Sequence, residues 1–388
     1  MARWLRTLGR SGQVGRVHAK MAKDFGTHCR SLSSHALAAA ALLLPALCGP
    51  AVAQPADSFY KGREMKFVLS ANASGGYGAY ARILQTYLEK HIPGRPHIVQ
   101  QSMIGAGGIV AANWLANVAP KDGSVIAMIH RGAVSTIPLF GAPNIHFDAT
   151  KFGWIGSMNA DISVCVVWHE AGVKSFADLQ SKPSIFGGIG PGSDIDMMPN
   201  LLNNLFDTKI QLITGYDSSN AIHVAMERRE VDGRCGFSVG SLLATKADWL
   251  RDKLVNVVVQ IGLQKHPAFP NVPVLSDLTQ DPELLQVIET IVSPLQIMGR
   301  PILTAPGVPP ERLAVLRRAF AEAMADPDFK ADADRERLEY EFVSGEQVEA
   351  VIHKIYSMPK PIIARAAQAV QRTDKLKITE KKPVKPPK

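Results

Sequence analysis

Residues 66–78 read KFVLSANASGGYG and residues 79–91 read AYARILQTYLEKH. Lys66–Ser70 is a short apolar strand, and Tyr80, Ile83, Leu84, Tyr87 and Leu88 recur at helical spacing, so the glycines between join a strand to a helix. The unit repeats at once. A strand at His97–Gln101 leads through Met103-Ile104-Gly105-Ala106-Gly107-Gly108 into a helix containing Trp114 and Leu115, and Lys121-Asp122-Gly123 turns into a strand at Ser124–Ile129. Strands alternating with helices predict an α/β fold with a mostly parallel sheet covered on both faces.

The rhythm restarts at Ile162–Trp168. A helix at Ser175–Gln180 opens with a capping box of Ser175 and Asp178, and a strand near Ile185–Gly187 runs into Gly190-Pro191-Gly192-Ser193, where Ser193 and Asp196 repeat the box. Strand Lys209–Thr214, turn Gly215-Tyr216-Asp217-Ser218, helix Asn220–Arg229, strand Arg234–Phe237, helix Ser241–Leu250 and strand Val255–Ile261 follow. From Pro309 the pattern is helical, with Leu313, Leu316, Ala319 and Phe320 on one face and Ser344 with Gln347 opening a further helix. The tail 373–388 loses this periodicity, is rich in Lys and Pro, and is expected to be disordered.

With 388 residues, 46% of them hydrophobic, the chain holds apolar material for two cores. Its net charge of +8 is concentrated at the ends: residues 1–53 hold seven Lys/Arg against one acid, the tail six Lys against two acids, and the body between is near −2. That body lacks the basic stripe nucleic-acid binding needs, so no nucleic-acid partner is expected. Arg30, the apolar run ALAAAALLLPAL (36–47) and Ala51-Val52-Ala53 before Gln54 read as a secretory signal over 1–53, with Met21 an alternative start. The run is short for a membrane span, and Leu47 stands where lipidation of Cys48 needs a small residue. A cytosolic protein with an apolar N-terminal helix is the competing reading. Removal of the leader leaves Cys165 and Cys235, which in an oxidising compartment form either one disulfide or two buried thiols.

Three glycine loops (Ser74–Gly78, Gly105–Gly108, Gly190–Ser193) and the turn Gly215–Ser218 all stand where a strand ends and a helix begins. Helix N-termini at that edge present N–H groups and a positive dipole end, which suits an anion. None of the loops completes GxGxxG, so a dinucleotide is not expected. Arg131, beyond strand Ser124–Ile129, is placed to pair with a carboxylate. Gly236-Phe237-Ser238-Val239-Gly240 matches G-x-S-x-G, which makes a secreted serine hydrolase using Ser238 the alternative function. His266 and His353, the histidines downstream of it, sit in no triad-like loop, and Ser238 reads better as part of a connection between domains. The histidines show no metal-ligand spacing, so no metal or other cofactor is expected.

SANASGGYGAYARIL (70–84), IPGRPHIVQQSMIGAGGIVAANWLANVAPKDGSVI (92–126), the Gly190–Ser193 turn, EVDGRCG (230–236), KHPAFPNVPVLSDL (265–278) and PILTAPGVPPERL (301–313) together resemble the Bug (TctC-like) family. These are extracytoplasmic solute-binding proteins of tripartite tricarboxylate transporters, and the likeness spans about Phe59 to Val370. The resemblance implies a two-lobed periplasmic-binding-protein fold of type II with two crossovers, and a small carboxylate held in the cleft. It implies contacts from Ala73, Ser74, Gly75, Gly76 and Tyr77, from Gly105, Ala106, Gly107 and Gly108, and from Gly192, Ser193 and Tyr216 of the second lobe. Gly78 stands where family members carry an acid. The expectation is a periplasmic monomer that is no enzyme and delivers a carboxylate to integral-membrane subunits, with a sensory role the weaker alternative. Lobe one takes 57–156 and 239–304, lobe two 157–238, and 305–372 forms helices packed on one of them.

Overall fold

The computed structural model describes residues 56–372 apart from Pro143, so the expected signal segment and Lys/Pro tail lie outside the described residues. Strands β1 (Glu64–Leu69), β2 (His97–Ser102), β3 (Val125–Met128) and β4 (Gly153–Ser157) belong to one sheet. Strands β5 (Ser163–Trp168), β6 (Ser184–Gly187), β7 (Ile210–Ile213), β8 (Gly233–Ser238) and β9 (Val255–Ile261) form a second. The chain then returns with β10 (Pro301–Thr304) and β11 (Val343–Ser344), giving the orders β11-β4-β10-β3-β1-β2 and β7-β6-β8-β5-β9. It passes between sheets twice, through 158–162 and through 262–300.

Parallel pairing holds where sequence periodicity showed strand–helix–strand units: β1 with β2 and β3, and β6 with β7 and β8. Elsewhere the sheets are mixed. The strand entering each sheet from the other runs against its neighbours, β5 antiparallel to β8 and β9, and β10 antiparallel to β3 and β4. This corrects the expected mostly parallel sheet. The chain enters β5 through 158–162 with no helix to reverse its direction, whereas β10 follows the helix Pro282–Ile297.

Residues 239–261 also depart from the expected boundary. Strand β9 pairs with β5 of the second sheet, and Val239, Leu242 and Trp249 are buried with Ile222 and Phe237. Burial of these apolar side chains carries 239–261 into the second lobe. The C-terminal helices touch both lobes: Pro310–Ala325 packs on the helix Gly76–His91, and Lys360–Val370 on the helix Asp194–Phe206. The capping boxes at Ser175 and Ser344 form, each supporting its helix by about 1 kcal/mol. The box at Ser193 does not: Ser193 Oγ accepts from Ile195 N, and Asp196 turns elsewhere. Among the described residues no helix is long and apolar enough to cross a membrane.

Candidate functional site

The strand ends of the two sheets face each other across a cleft. On the first-lobe side β1 ends at Leu69, and Asn72 Oδ1 accepts from Ser74 N and Oγ, both at 3.1 Å, folding the chain into the start of Gly76–His91. Gly75 is the N-cap of that sixteen-residue helix, no side chain caps it, and its first turn holds no acid. A Cβ at Gly78 would overlap the backbone of Ala73, so the acid that the family resemblance places here has no room. In the next loop Ala106, Gly107 and Gly108 have φ of 47°, 65° and 105°. This run of left-handed residues is why the sequence spends two of its glycines there.

On the second-lobe side the buried Asp196 carboxylate accepts from Ile189 N at 2.7 Å, Gly190 N at 2.9 Å and Thr214 Oγ1. Burial raises the pKa of Asp196 despite these donors. The loops of the two lobes meet directly. Gly192 N donates to Ala106 O at 3.1 Å, and Asn220 Nδ2 donates to Ser74 O at 3.1 Å. A Cβ on Gly107 would lie 2.5 Å from Ser193 N and 2.7 Å from Gly190 O, so this glycine permits close approach of one backbone to another.

Gly75, Gly76, Tyr77, Gly105, Gly107 and Arg131 line the cleft, together with Asn72, His130, Asp217, Ser218, His223, Arg234, Ser238, Ser241 and Arg300. Ala73, Ser74, Ala106, Gly108, Gly192, Ser193 and Tyr216 support its loops without lining it: Ser193 Oγ caps a helix, and Tyr216 N bonds Gly188 O. Arg131 has a different role from the one its sequence position suggests. Arg131 is 3% exposed and four of its five guanidinium N–H groups have acceptors, with Nε and Nη2 donating to Asp194 Oδ2 at 2.9 and 2.6 Å, and Nη1 donating to Asp161 Oδ2 at 3.1 Å and Leu295 O at 2.7 Å. It pairs with a carboxylate of the protein itself, across the cleft. Burial pushes the Asp194 pKa up, but the Arg131 charge outweighs it and holds the carboxyl below its ordinary value.

Ser238 Oγ donates to Asp161 Oδ1 at 2.9 Å and accepts from Arg300 Nη2 at 3.0 Å and Ser241 N at 3.2 Å. Its partners are an acid, a guanidinium and a backbone amide, with no histidine among them, which is a helix cap and not an activated nucleophile. Arg300 also donates to Ser241 Oγ at 2.6 Å and Asp161 Oδ2 at 3.3 Å, and lies 4.4 Å from the Tyr80 ring centroid.

Arg234 contrasts with both other arginines. It is 2% exposed, and its hydrogen bonds run to His223 Nε2 at 3.0 Å and to the carbonyls of Cys235 and Gly236 at 3.4 Å, none to a carboxylate. Its guanidinium lies 4.6 Å from the Phe237 ring centroid. Burial lowers its pKa to about 10 and that of His223 to about 2, so at neutral pH the arginine is charged and the imidazole is not. Since Nε2 of the neutral ring accepts from Arg234, Nδ1 carries the proton, and this buried N–H has no partner. Next to Arg234, Cys235 is disulfide-bonded to Cys165 across the β5–β8 pair, where the register shifts and Gly236 has φ 63°. The disulfide alternative of the sequence reading is the one the structure adopts. His223, Arg234 and Arg300 line the cleft although neither periodicity nor glycine spacing singles them out. The signal was there in Gly233–Ser238, a short buried strand with one charged residue.

No protein-family model matches the chain, and neither does any curated protein sequence. Solved structures do. MatC (Rpa3494) from Rhodopseudomonas palustris with bound malate superposes with TM-score 0.62 at 17% identity, covering 80% of this chain and 99% of that one. The periplasmic binding protein BugD gives 0.63 at 16% identity, with 81% and 100% covered. R. palustris Rpa4515 with adipate gives 0.60 at 17% identity, with 79% and 97% covered. The chain therefore has the two-lobed periplasmic-binding-protein fold, as its two sheets and two crossovers already indicate.

Proposed function

We propose that this chain is an extracytoplasmic solute-binding protein of the Bug (TctC-like) kind, which captures a small carboxylate between its lobes and presents it to the membrane subunits of a tripartite tricarboxylate-type transporter. The observation carrying the reading is the cleft wall at Gly75–Tyr77. There a sixteen-residue helix begins with no side-chain cap and no acid in its first turn, so the positive end of its dipole and its first N–H groups are left for an anion from outside. Helices starting after Ser193, Ser218 and Ser238 each have one of those N–H groups capped by the serine hydroxyl. The bound malate and adipate of the two R. palustris proteins sharing the fold support the same ligand class.

The protein works as a monomer in the periplasm, and ligand binding stabilises the closed contact between the lobes. Transport chemistry belongs to the partner subunits. The cleft offers recognition and no nucleophile, which weighs against the hydrolase reading on Ser238. A thermal-shift screen over organic acids tests this. The expected result is a saturable rise in melting temperature, on the order of 2.7 kcal/mol of stabilisation at 100 times the dissociation constant. Stabilisation by neutral sugars or cations alone overturns the reading.

A further inference from the structure

Three guanidinium groups, of Arg131, Arg300 and Arg234, are buried around the cleft, and the carboxylates that contact them are two, Asp161 and Asp194. Arg131 bonds both acids and Arg300 bonds Asp161, so the positive charge left over is that of Arg234. Three of its five N–H groups have acceptors, two of those at 3.4 Å. Beside it the Nδ1–H of His223 is buried without an acceptor. Phe237 lies under the guanidinium and 4.7 Å from the imidazole centroid, with the Trp249 ring 5.1 Å away on another side, so neither donor can swing off to find water without breaking ring contacts. The exposed Asp217 stands at the mouth of the cleft and forms no ion pair with Arg234.

We infer that Arg234 and His223 form a second anion subsite, in the second lobe, and that together with the helix start at Gly75–Tyr77 in the first lobe it makes the protein select a ligand with two carboxylates over one with a single carboxylate. The inference rests on the proposed function and deepens it. One carboxylate takes the backbone N–H groups of Gly76 and Tyr77, the Gly75 N–H being bonded to Asn72 O, and the other takes the free N–H groups of Arg234 and the Nδ1–H of His223. A guanidinium fork suits the planar carboxylate, and in a buried site its discrimination against a ligand end without charge is large. Because the two subsites come from different lobes, a ligand satisfying both draws the lobes together.

The test is calorimetric titration of the full chain with succinate, malate, glutarate, adipate, citrate and terephthalate, set against butyrate, pentanoate, hexanoate and benzoate. Wild type should bind at least one polycarboxylate ten times or more tightly than the monocarboxylate of the same skeleton. Arg234→Met should remove that preference. Arg234→Lys keeps the charge without the fork and should retain the preference at weaker affinity. Without ligand, Arg234→Met should melt no lower than wild type, because it removes a buried charge that burial disfavours and that no carboxylate contacts. A lower melting temperature for the unliganded variant would mark Arg234 as a structural residue and overturn the inference. So would an Arg234→Met protein that keeps the wild-type preference, or an Arg234→Lys protein with unchanged affinities. Wild type that binds organic acids without regard to their charge overturns the inference alone, whereas wild type that binds none of them overturns the proposed function as well.

Discussion

Replacing Gly107 by alanine separates the contact between the lobes from the local strain of the loop. At Gly107 φ is 65°, and a Cβ built there lies 2.5 Å from Ser193 N, 2.7 Å from Gly190 O and 2.9 Å from Gly192 C, all backbone atoms of the opposite lobe. Gly141 has nearly the same φ, 67°, with no atom within 4 Å. A left-handed residue with a Cβ costs roughly 1–2 kcal/mol, so Gly141→Ala measures that cost by itself. Both variants should lose this much stability. Only Gly107→Ala must also push the loop Gly190–Ser193 away, by something near an ångström, which breaks the Gly192 N–H bond to Ala106 O at about 1 kcal/mol and adds the residual overlap. The closed form should therefore be disfavoured by at least about 1.4 kcal/mol, a tenfold loss of affinity. Titration with the strongest-binding acid of the thermal screen, with small-angle scattering at saturation, reads both quantities. Gly107→Ala should bind at least ten times more weakly than Gly141→Ala and should compact less. If the two alanine variants bind within twofold of each other, the glycine contact does not govern closure.

Arg131→Met should destabilise the ligand-free protein by about 3–5 kcal/mol, because it strands Asp194 as a buried carboxylate and leaves Asp161 to Arg300 alone; a ligand-free melting temperature equal to wild type would show that Arg131 is a ligand contact after all. His130, whose pKa burial lowers to about 4, is neutral when folded but binds a proton near pH 6.5 when unfolded, so the stability it contributes is present above that pH and is lost on acidification. Between pH 7 and 5 that loss amounts to about 2 kcal/mol, and denaturant titrations at the two pH values should show a loss smaller by that amount in His130→Asn than in wild type, the buried His223 contributing its own loss to both; identical losses in both would contradict the assignment. Reduction of Cys165–Cys235, which are 70 residues apart in sequence, should cost on the order of 4 kcal/mol in the chain-entropy account and weaken ligand binding through the neighbouring Arg234. Unchanged unfolding after verified reduction would refute the first half of that statement.

The parts of the fold that could be read from the sequence are those with a local cause. Lys66–Ser70, its glycine turn and the helix behind it stand close to where periodicity puts them, since apolar spacing and glycine act within a few residues. Gly153–Ser157 and Pro301–Thr304 were passed over because each is a four- or five-residue run without alternation, made a strand by neighbours distant in sequence. The cleft loops were legible for the same local reason. Their chemistry was not, because Arg131 looks like a free arginine until Asp194, 63 residues on, is folded against it. Arg234 looks like an ordinary strand residue until the fold leaves it with no carboxylate among its hydrogen-bond partners. Charge balance in a buried site is a sum over residues that the sequence keeps apart.

The placement of Asp161 bears on how the lobes could come apart. It lies in 158–162, the first passage between the sheets, while Leu295, whose carbonyl takes the same Nη1 of Arg131, lies in the second. Arg131 is thus moored to both hinge segments on one side and to the far lobe, through Asp194, on the other. If the lobes rotate about those segments, Asp194 leaves into water while the moorings stay, and the guanidinium exchanges one of two counter-ions without being stripped of both. The full penalty of an orphaned buried charge, several kcal/mol, is never incurred along that path. Such a clasp holds firmly when shut yet releases at a cost that a small ligand's binding energy can outweigh.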